Sequence, residues 1–147
     1  MTVDRRLTDY ELEVGLAMTA RRDAALALRD AIDHDVSRYQ DGMDQVRAGR
    51  AMDILDPTTA GEIRQAMTEL VSEFEACRHR FRLALVAVAV DNGLTAREIG
   101  TAFQFSRQLA GRYLREAFDR WPELDRQTTD EAAADASPAQ AGPATTP

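Results

Sequence analysis

Eight apolar residues, Ile63, Met67, Leu70, Phe74, Cys77, Phe81, Leu85 and Val88, step through the sequence by four, three, four, three, four, four and three. That is close to the strict spacing of one helix face over more than three heptads. A strand, whose side chains alternate with period two, cannot gather these residues on one side. The chain is therefore predicted to contain a long helix with an apolar seam. The run LALVAVAV, Leu83–Val90, alternates locally like a buried strand, yet it continues the seam and has no second strand to pair with, so it too is read as helix.

A second long helix precedes this one. From Thr8 to about Gly49 there is no proline, and Ala25, Ile32, Tyr39 and Val46 recur every seven residues with Leu28, Val36 and Met43 between them. Gly15 and Gly42 weaken this helix locally, which leaves room for a break near Gly42. Asp53 to Pro57 reads as a turn, because Pro57 drives Asp56 out of the helical region. Two such helices joined by a short turn fold back as an antiparallel hairpin. At 1.5 Å per residue a helix of about 40 residues is roughly 60 Å long, and two of them leave apolar surface uncovered. A homodimer through a coiled coil or four-helix bundle is the expected remedy, with Ile63, Met67, Leu70 and Phe74 as its seam.

Helix starts are marked by a Thr followed three residues later by Glu, a pair that satisfies two orphan backbone donors reciprocally. The pattern occurs at Thr8–Glu11, Thr59–Glu62 and Thr95–Glu98. Composition agrees with helices: hydrophobic residues make up 44% but aromatics only 6%, and alanine supplies much of the difference. All 18 basic residues are arginine, which fits a GC-rich genome as readily as any chemistry.

The net charge of −7 argues at first against a nucleic-acid partner, but the charge is segregated. Up to Cys77 there are nine Arg against sixteen acids; from Arg78 to Arg120, eight Arg against four; from Trp121 onward, one against five. A basic segment between two acidic ones is the expected footprint of a nucleic-acid-contacting module carried by parts that make no contact.

Within the basic segment, Phe81 to Phe118 reads as three helices. The first stops at Asp91-Asn92-Gly93, where Gly93 supplies a left-handed terminus. The second runs from Thr95 to about Phe103 with Ile99, Ala102 and Phe103 inward, and Gly100 admits a closely packed neighbour. The third starts at Ser106 and continues to about Phe118 with Leu109, Ala110, Tyr113, Leu114 and Phe118 inward. Only Gln104-Phe105 separates the last two, so they must cross sharply, with Phe105 plugging the junction.

The stretch GLTAREIGTAFQFSRQLAGRYL resembles helix-turn-helix domains of resolvase-type recombinases, phage repressors and the promoter-reading C-terminal domain of sigma factors. The resemblance covers about a quarter of the chain. Gly100 matches the small residue of the family's second helix and Phe105 the apolar residue after the turn. Gln104 stands where a turn glycine is usual, and Ala110 where a β-branched core residue is usual. The resemblance implies that the third helix enters the major groove of double-stranded DNA, its N-terminal residues facing base edges. Arg107, Gln108 and Arg112 then read bases, since Arg bridges guanine O6 and N7 and Gln bridges adenine N6 and N7. Ser106 and the amide end of that helix suit a phosphate, and Arg97 and Arg115 the sugar-phosphate backbone.

Catalysis finds no support. There is no Gly-rich phosphate loop, no nucleophile–base set and no carboxylate pair with an evident cleft. Cys77 and His79 lack the further ligands a metal site needs, and His34 lies on an acidic face without a partner. No cofactor is expected. The basic cluster Arg78, His79, Arg80 and Arg82 is as well suited to a solvated face as to flanking phosphates. A lone cysteine, an N-terminus without an apolar signal core, and an apolar run of only eight residues point to a soluble cytoplasmic protein with no membrane association.

The sequence thus predicts an all-α chain. Residues 1–79 form a long, coiled-coil-like hairpin for dimerisation and interaction, 80–121 a trihelical helix-turn-helix domain, and 122–147 a disordered, acidic Ala/Pro/Thr-rich tail. The expected function is sequence-specific DNA binding as a dimeric bacterial or phage transcriptional regulator, with the acidic hairpin free to meet another protein. Two alternatives share the same features: a coiled-coil adaptor whose helix-turn-helix docks on a protein such as RNA polymerase, and a DNA-processing accessory in excision or partition.

Overall fold

A computed structural model describes residues 7–51 and 57–125. Four helices follow in order: α1 (Asp9–Arg47), α2 (Pro57–Asp91), α3 (Ala96–Ala102) and α4 (Arg107–Arg120), with no strand among the described residues. LALVAVAV lies wholly within α2, as its register required. No helix among the described residues is long and apolar enough to cross a membrane. The expected tail beyond residue 125 and the expected turn at Asp53–Pro57, except Pro57 itself, lie outside the described residues.

Local chemistry sets the ends. Thr8 and Thr95 each accept the N–H of the Glu three residues on, and that Glu accepts the Thr N–H at 2.8 Å. The third expected box does not start a helix. Pro57 is already the first residue of α2, leaving Thr59 inside it; proline's fixed φ suits a first turn, where its missing N–H costs nothing. α1 passes unbroken through Gly15 and Gly42. It ends at Gly49, φ +76°, with Gly49 N–H donating to Val46 and Arg50 N–H to Gln45. α2 ends the same way at Gly93, φ +78°, with Gly93 donating to Val90 and Leu94 to Ala89. Both are helix stops in which a left-handed residue lets the chain bond back onto the last turn.

The chain divides into two compact units, Met1–Ala84 and Leu85–Pro147, so the division falls inside α2. In the first unit α1 and α2 form a long antiparallel pair. Glu13 near the start of α1 meets Arg80 near the end of α2, and Arg21 lies over the rings of Phe74 and Phe81 at 6.0 and 5.4 Å from their centroids. The seam of α2 emerges as expected: Ile63, Met67, Leu70, Phe74, Cys77 and Phe81 are half-buried, while Glu69, Val71 and Glu73 around them are exposed.

The face that α1 turns inward differs from the expected one. Its buried positions are Tyr10, Glu13, Ala17 and Ala24, continued by half-buried Leu28, Ala31, Asp35 and Arg38. Apart from Leu28, which lies on both, the expected stripe is displaced by one residue and so by roughly 100° around the helix, and it is left in solvent: Ile32, Val36, Tyr39, Met43 and Val46 are 47–67% exposed. Ala17, Ala24 and Ala31 stand on the inward face, and small side chains suit a closely packed neighbour, whereas a row of large residues there would hold it away. Beyond Ala31 the inward face turns polar with Asp35 and Arg38, which pair with each other.

In the second unit the buried residues are Val86, Ala87, Ala89 and Val90 of α2, Ile99 of α3, and Ala110, Tyr113 and Ala117 of α4. Trp121 and Leu124 join them. Leu124, expected in the tail, is fully buried, and residues 123–125 add a short helical turn after Pro122. Proline ended α4 without ending the folded unit.

Candidate functional site

α3 and α4 pack against each other across a four-residue connection, 103–106. Gln104 takes φ +55°, and Gln104 N–H donates to Thr101 while Phe105 N–H donates to Gly100. This repeats the stops at Gly49 and Gly93, but with a glutamine in the left-handed position. Phe105 is stacked between Phe103 and Tyr113, with centroids 5.6 and 5.1 Å apart. It is the plug expected at the junction. Gly100 explains how close the elements come: a Cβ there would lie 3.4 Å from the Phe105 carbonyl oxygen and 3.7 Å from the Ala110 Cβ. Ala102, expected to face inward, is exposed; the inward residues of α3 are Ile99 and, half-buried, Phe103.

The cap of α3 is electrostatically tuned. The backbone N–H and hydroxyl of Thr95 both donate to Glu98, holding its carboxyl below the usual carboxylate range. At the start of α4 the Ser106 hydroxyl accepts the Leu109 N–H at 3.2 Å. It keeps its own proton to donate outward.

Ala110, Tyr113 and Ala117 turn inward on α4, which fixes what its other side displays. Arg107, Gln108, Arg112 and Arg115 are all exposed, and their spacing puts them on one side of a 3.6-residue helix. Ser106 at the head of α4 and Arg97 on α3 are exposed as well. All six residues expected to contact DNA are therefore on the surface. Gly111, which the sequence reading passed over, lies between Arg107 and Arg115 on the same side. Its one close side-chain neighbour is the Arg115 guanidinium, 4.0 Å from where a Cβ would stand. The available signal was a glycine retained inside an otherwise good helix-forming run.

Six arginines of the helix pair are matched to carboxylates. Arg22, Arg29, Arg38 and Arg47 of α1 pair with nearby aspartates, Arg78 with Glu75, and Arg80 with Glu13. The basic cluster at 78–82 is thus partly neutralised within its own unit. Arg97, Arg107, Arg112 and Arg115 have no carboxylate partner among the described residues. α4 has no acid in its first turn, although the helix dipole favours one, and places Arg107 there instead.

Of the expected dimer seam, Ile63, Met67, Leu70 and Phe74 are half-buried on one side of α2. Phe74 lies under Arg21, whereas Ile63 and Met67 line a groove shared with α1. Among the described residues no three His, Cys, Asp or Glu side chains are grouped as a metal site would require. Comparison with protein-family models, with curated proteins and with solved structures returns no match.

Proposed function

We propose that α3 and α4 act as a helix-turn-helix and that the chain is a sequence-specific, double-stranded DNA-binding protein, working as a dimeric transcriptional regulator. The observation that carries this reading is the set of arginines without a carboxylate partner on one side of α4, where six arginines of the first unit, Arg22, Arg29, Arg38, Arg47, Arg78 and Arg80, are matched to carboxylates. Unneutralised guanidinium groups with no acid in the first turn raise the local potential, which a polyanion relieves.

α4 has 14 residues, roughly 21 Å of helix, and a major groove about 12 Å wide admits it. Arg107, Gln108 and Arg112 present the fork and amide groups that read guanine and adenine edges. Gly111 removes side-chain bulk where the helix backbone would approach the bases most closely. The Ser106 hydroxyl and the first amides of α4 suit a phosphate, and Arg97 and Arg115 hold the flanking backbone. A two-fold dimer would place two such helices on half-sites about 34 Å apart or a multiple of that distance.

The test is a polarisation titration of the full chain against mixed-sequence duplex at two salt concentrations, followed by selection from a random duplex pool. Binding should weaken steeply with salt, by about 0.9 log units of affinity per log unit of salt for each phosphate neutralised. Selection should return a consensus with two-fold symmetry. No binding at low salt would instead favour an adaptor whose helix pair docks on protein.

A further inference from the structure

The α1 stripe Ile32, Val36, Tyr39, Met43 and Val46 keeps the four-three spacing of a coiled-coil seam, yet among the described residues no side chain covers it. Toward the turn end of the helix pair it borders a groove of about 1030 Å³ whose α2 wall includes Ile63 and Met67. We propose that this face receives the same α1 stripe of a second copy, the two running antiparallel about a two-fold axis at Tyr39. The proposal rests on the dimer reading above and gives that dimer its surface; it does not depend on DNA contact.

The stripe is self-complementary in reverse. With Tyr39 opposite Tyr39, Ile32 comes level with Val46 of the second copy and Val36 within one residue of Met43, so apolar side chains meet in each layer. Charge then selects the direction. The residues following Ile32, Tyr39 and Val46 flank the seam on its outer side, and they are Asp33, Gln40 and Arg47. In the antiparallel register Asp33 faces Arg47 of the second copy, Arg47 faces its Asp33, and the two Gln40 amides face each other. A parallel pair would instead set Asp33 against Leu28 and Arg47 against Gly42, with no ion pair. Arg47 is bonded to Asp44 in the single chain, an exposed i,i+3 contact that is readily exchanged. Arg29 and Arg50 close the apolar stripe at its two ends.

Other occupants from the same chain lack the means. Residues 126–147 contain no Leu, Ile, Val, Met or aromatic side chain, residues 1–6 only Met1 and Val3, and residues 52–56 only Met52, Ile54 and Leu55. None of these can fill five large apolar positions. A second copy offers five matching ones.

Sedimentation equilibrium of the full chain and of single variants tests the proposal, with helicity monitored by circular dichroism. The wild type should dimerise, and Val36→Asp should raise the dimer dissociation constant by roughly a hundredfold or more while helicity is kept, since the new charge would be buried unpaired. Asp33→Arg and Arg47→Asp should each weaken the dimer by about tenfold, and the double exchange should restore it. In a Cys77→Ser background, Tyr39→Cys should cross-link to its copy on oxidation. Asp33→Cys should not, because antiparallel copies set those positions about 18 Å apart along the axis. A wild type that stays monomeric removes the dimer reading and this surface together. A dimer indifferent to Val36→Asp keeps the dimer reading and overturns the surface. Cross-linking at Asp33→Cys, or a double charge exchange that fails to rescue, overturns the antiparallel register.

Discussion

Glu13 accepts from both Nε and Nη2 of Arg80, a bidentate contact between residues 67 positions apart that ties the start of α1 to the end of α2. The carboxylate side chain is only 11% exposed and the guanidinium 41%. Hydrogen bonding to Glu13 raises the Arg80 pKa. Arg80→Met should cost about 1–3 kcal/mol, because it strands a largely buried carboxylate. Glu13→Leu combined with Arg80→Met should recover most of that loss, since neither charge is then left unmatched. Urea unfolding of the four members of this cycle measures it. A double variant as unstable as Arg80→Met alone would show that packing, not charge pairing, dominates at this site.

Gln104 occupies a backbone region that costs a side-chain-bearing residue about 1 kcal/mol or more. Gln104→Gly should raise unfolding free energy by up to about 1 kcal/mol, the relief being partly offset by the greater freedom of glycine in the unfolded chain. Gln104→Val should lower it, because a β-branched residue tolerates positive φ least. Thermal melts of the three proteins decide the order, and a Val variant at least as stable as the wild type would contradict the strain at this turn.

The position of that turn was legible in the sequence, and its conformation was not. Ser106 and Thr95 announce helix starts through chemistry confined to a few residues, so α3 and α4 could be bounded to within a residue or two. Gly93 announced its own left-handed stop for the same reason. The inward face of α1 failed because that helix carries two apolar stripes. Periodicity selects the larger one, whereas the approach of two backbones selects Ala17, Ala24 and Ala31. Leu124 was lost to the tail because Pro122 marks the end of a helix, which is not the end of a core. At the candidate site Arg107, Gln108 and Arg112 were singled out by the resemblance, which puts them at the head of the third helix. Gly111 was not, since a residue without a side chain leaves no periodic signal.

Glu98 supplies a pH dependence with a definite sign. Its folded-state pKa lies below its unfolded value because Thr95 donates two hydrogen bonds to the carboxylate. The stabilisation is therefore present above the unfolded pKa and disappears as pH falls through the folded one. Carbon-detected NMR titration should find the Glu98 carboxyl below the ordinary glutamate range in the wild type. Thr95→Val should return it toward that range and flatten the acid limb of the α3 stability profile. An unshifted Glu98 in the wild type would remove the reciprocal cap.

Arg112 and Arg97 should separate two kinds of contact. Arg112→Ala is expected to cost roughly 1–3 kcal/mol against the selected site and to relax the preference at one base pair. Arg97→Ala should weaken all duplexes alike and reduce the salt slope by about one. Titrations of both variants against the selected and a scrambled duplex check this. If Arg112→Ala left affinity for the selected duplex unchanged, α4 would not be the reading helix.

Gly111 allows stability and recognition to be pulled in opposite directions. A Cβ at this position meets nothing closer than the Arg115 guanidinium at 4.0 Å, an ordinary contact. Gly111→Ala should therefore stabilise α4 by about 1 kcal/mol through helix propensity alone. If the backbone of α4 lies against the bases, the added methyl intrudes exactly where room was kept, and affinity for the selected duplex should fall although the fold is firmer. A variant that melts higher and binds less well distinguishes a glycine kept for close approach from one that is merely tolerated. Equal or tighter binding by Gly111→Ala would move the contact surface away from the Arg107–Arg115 side of the helix.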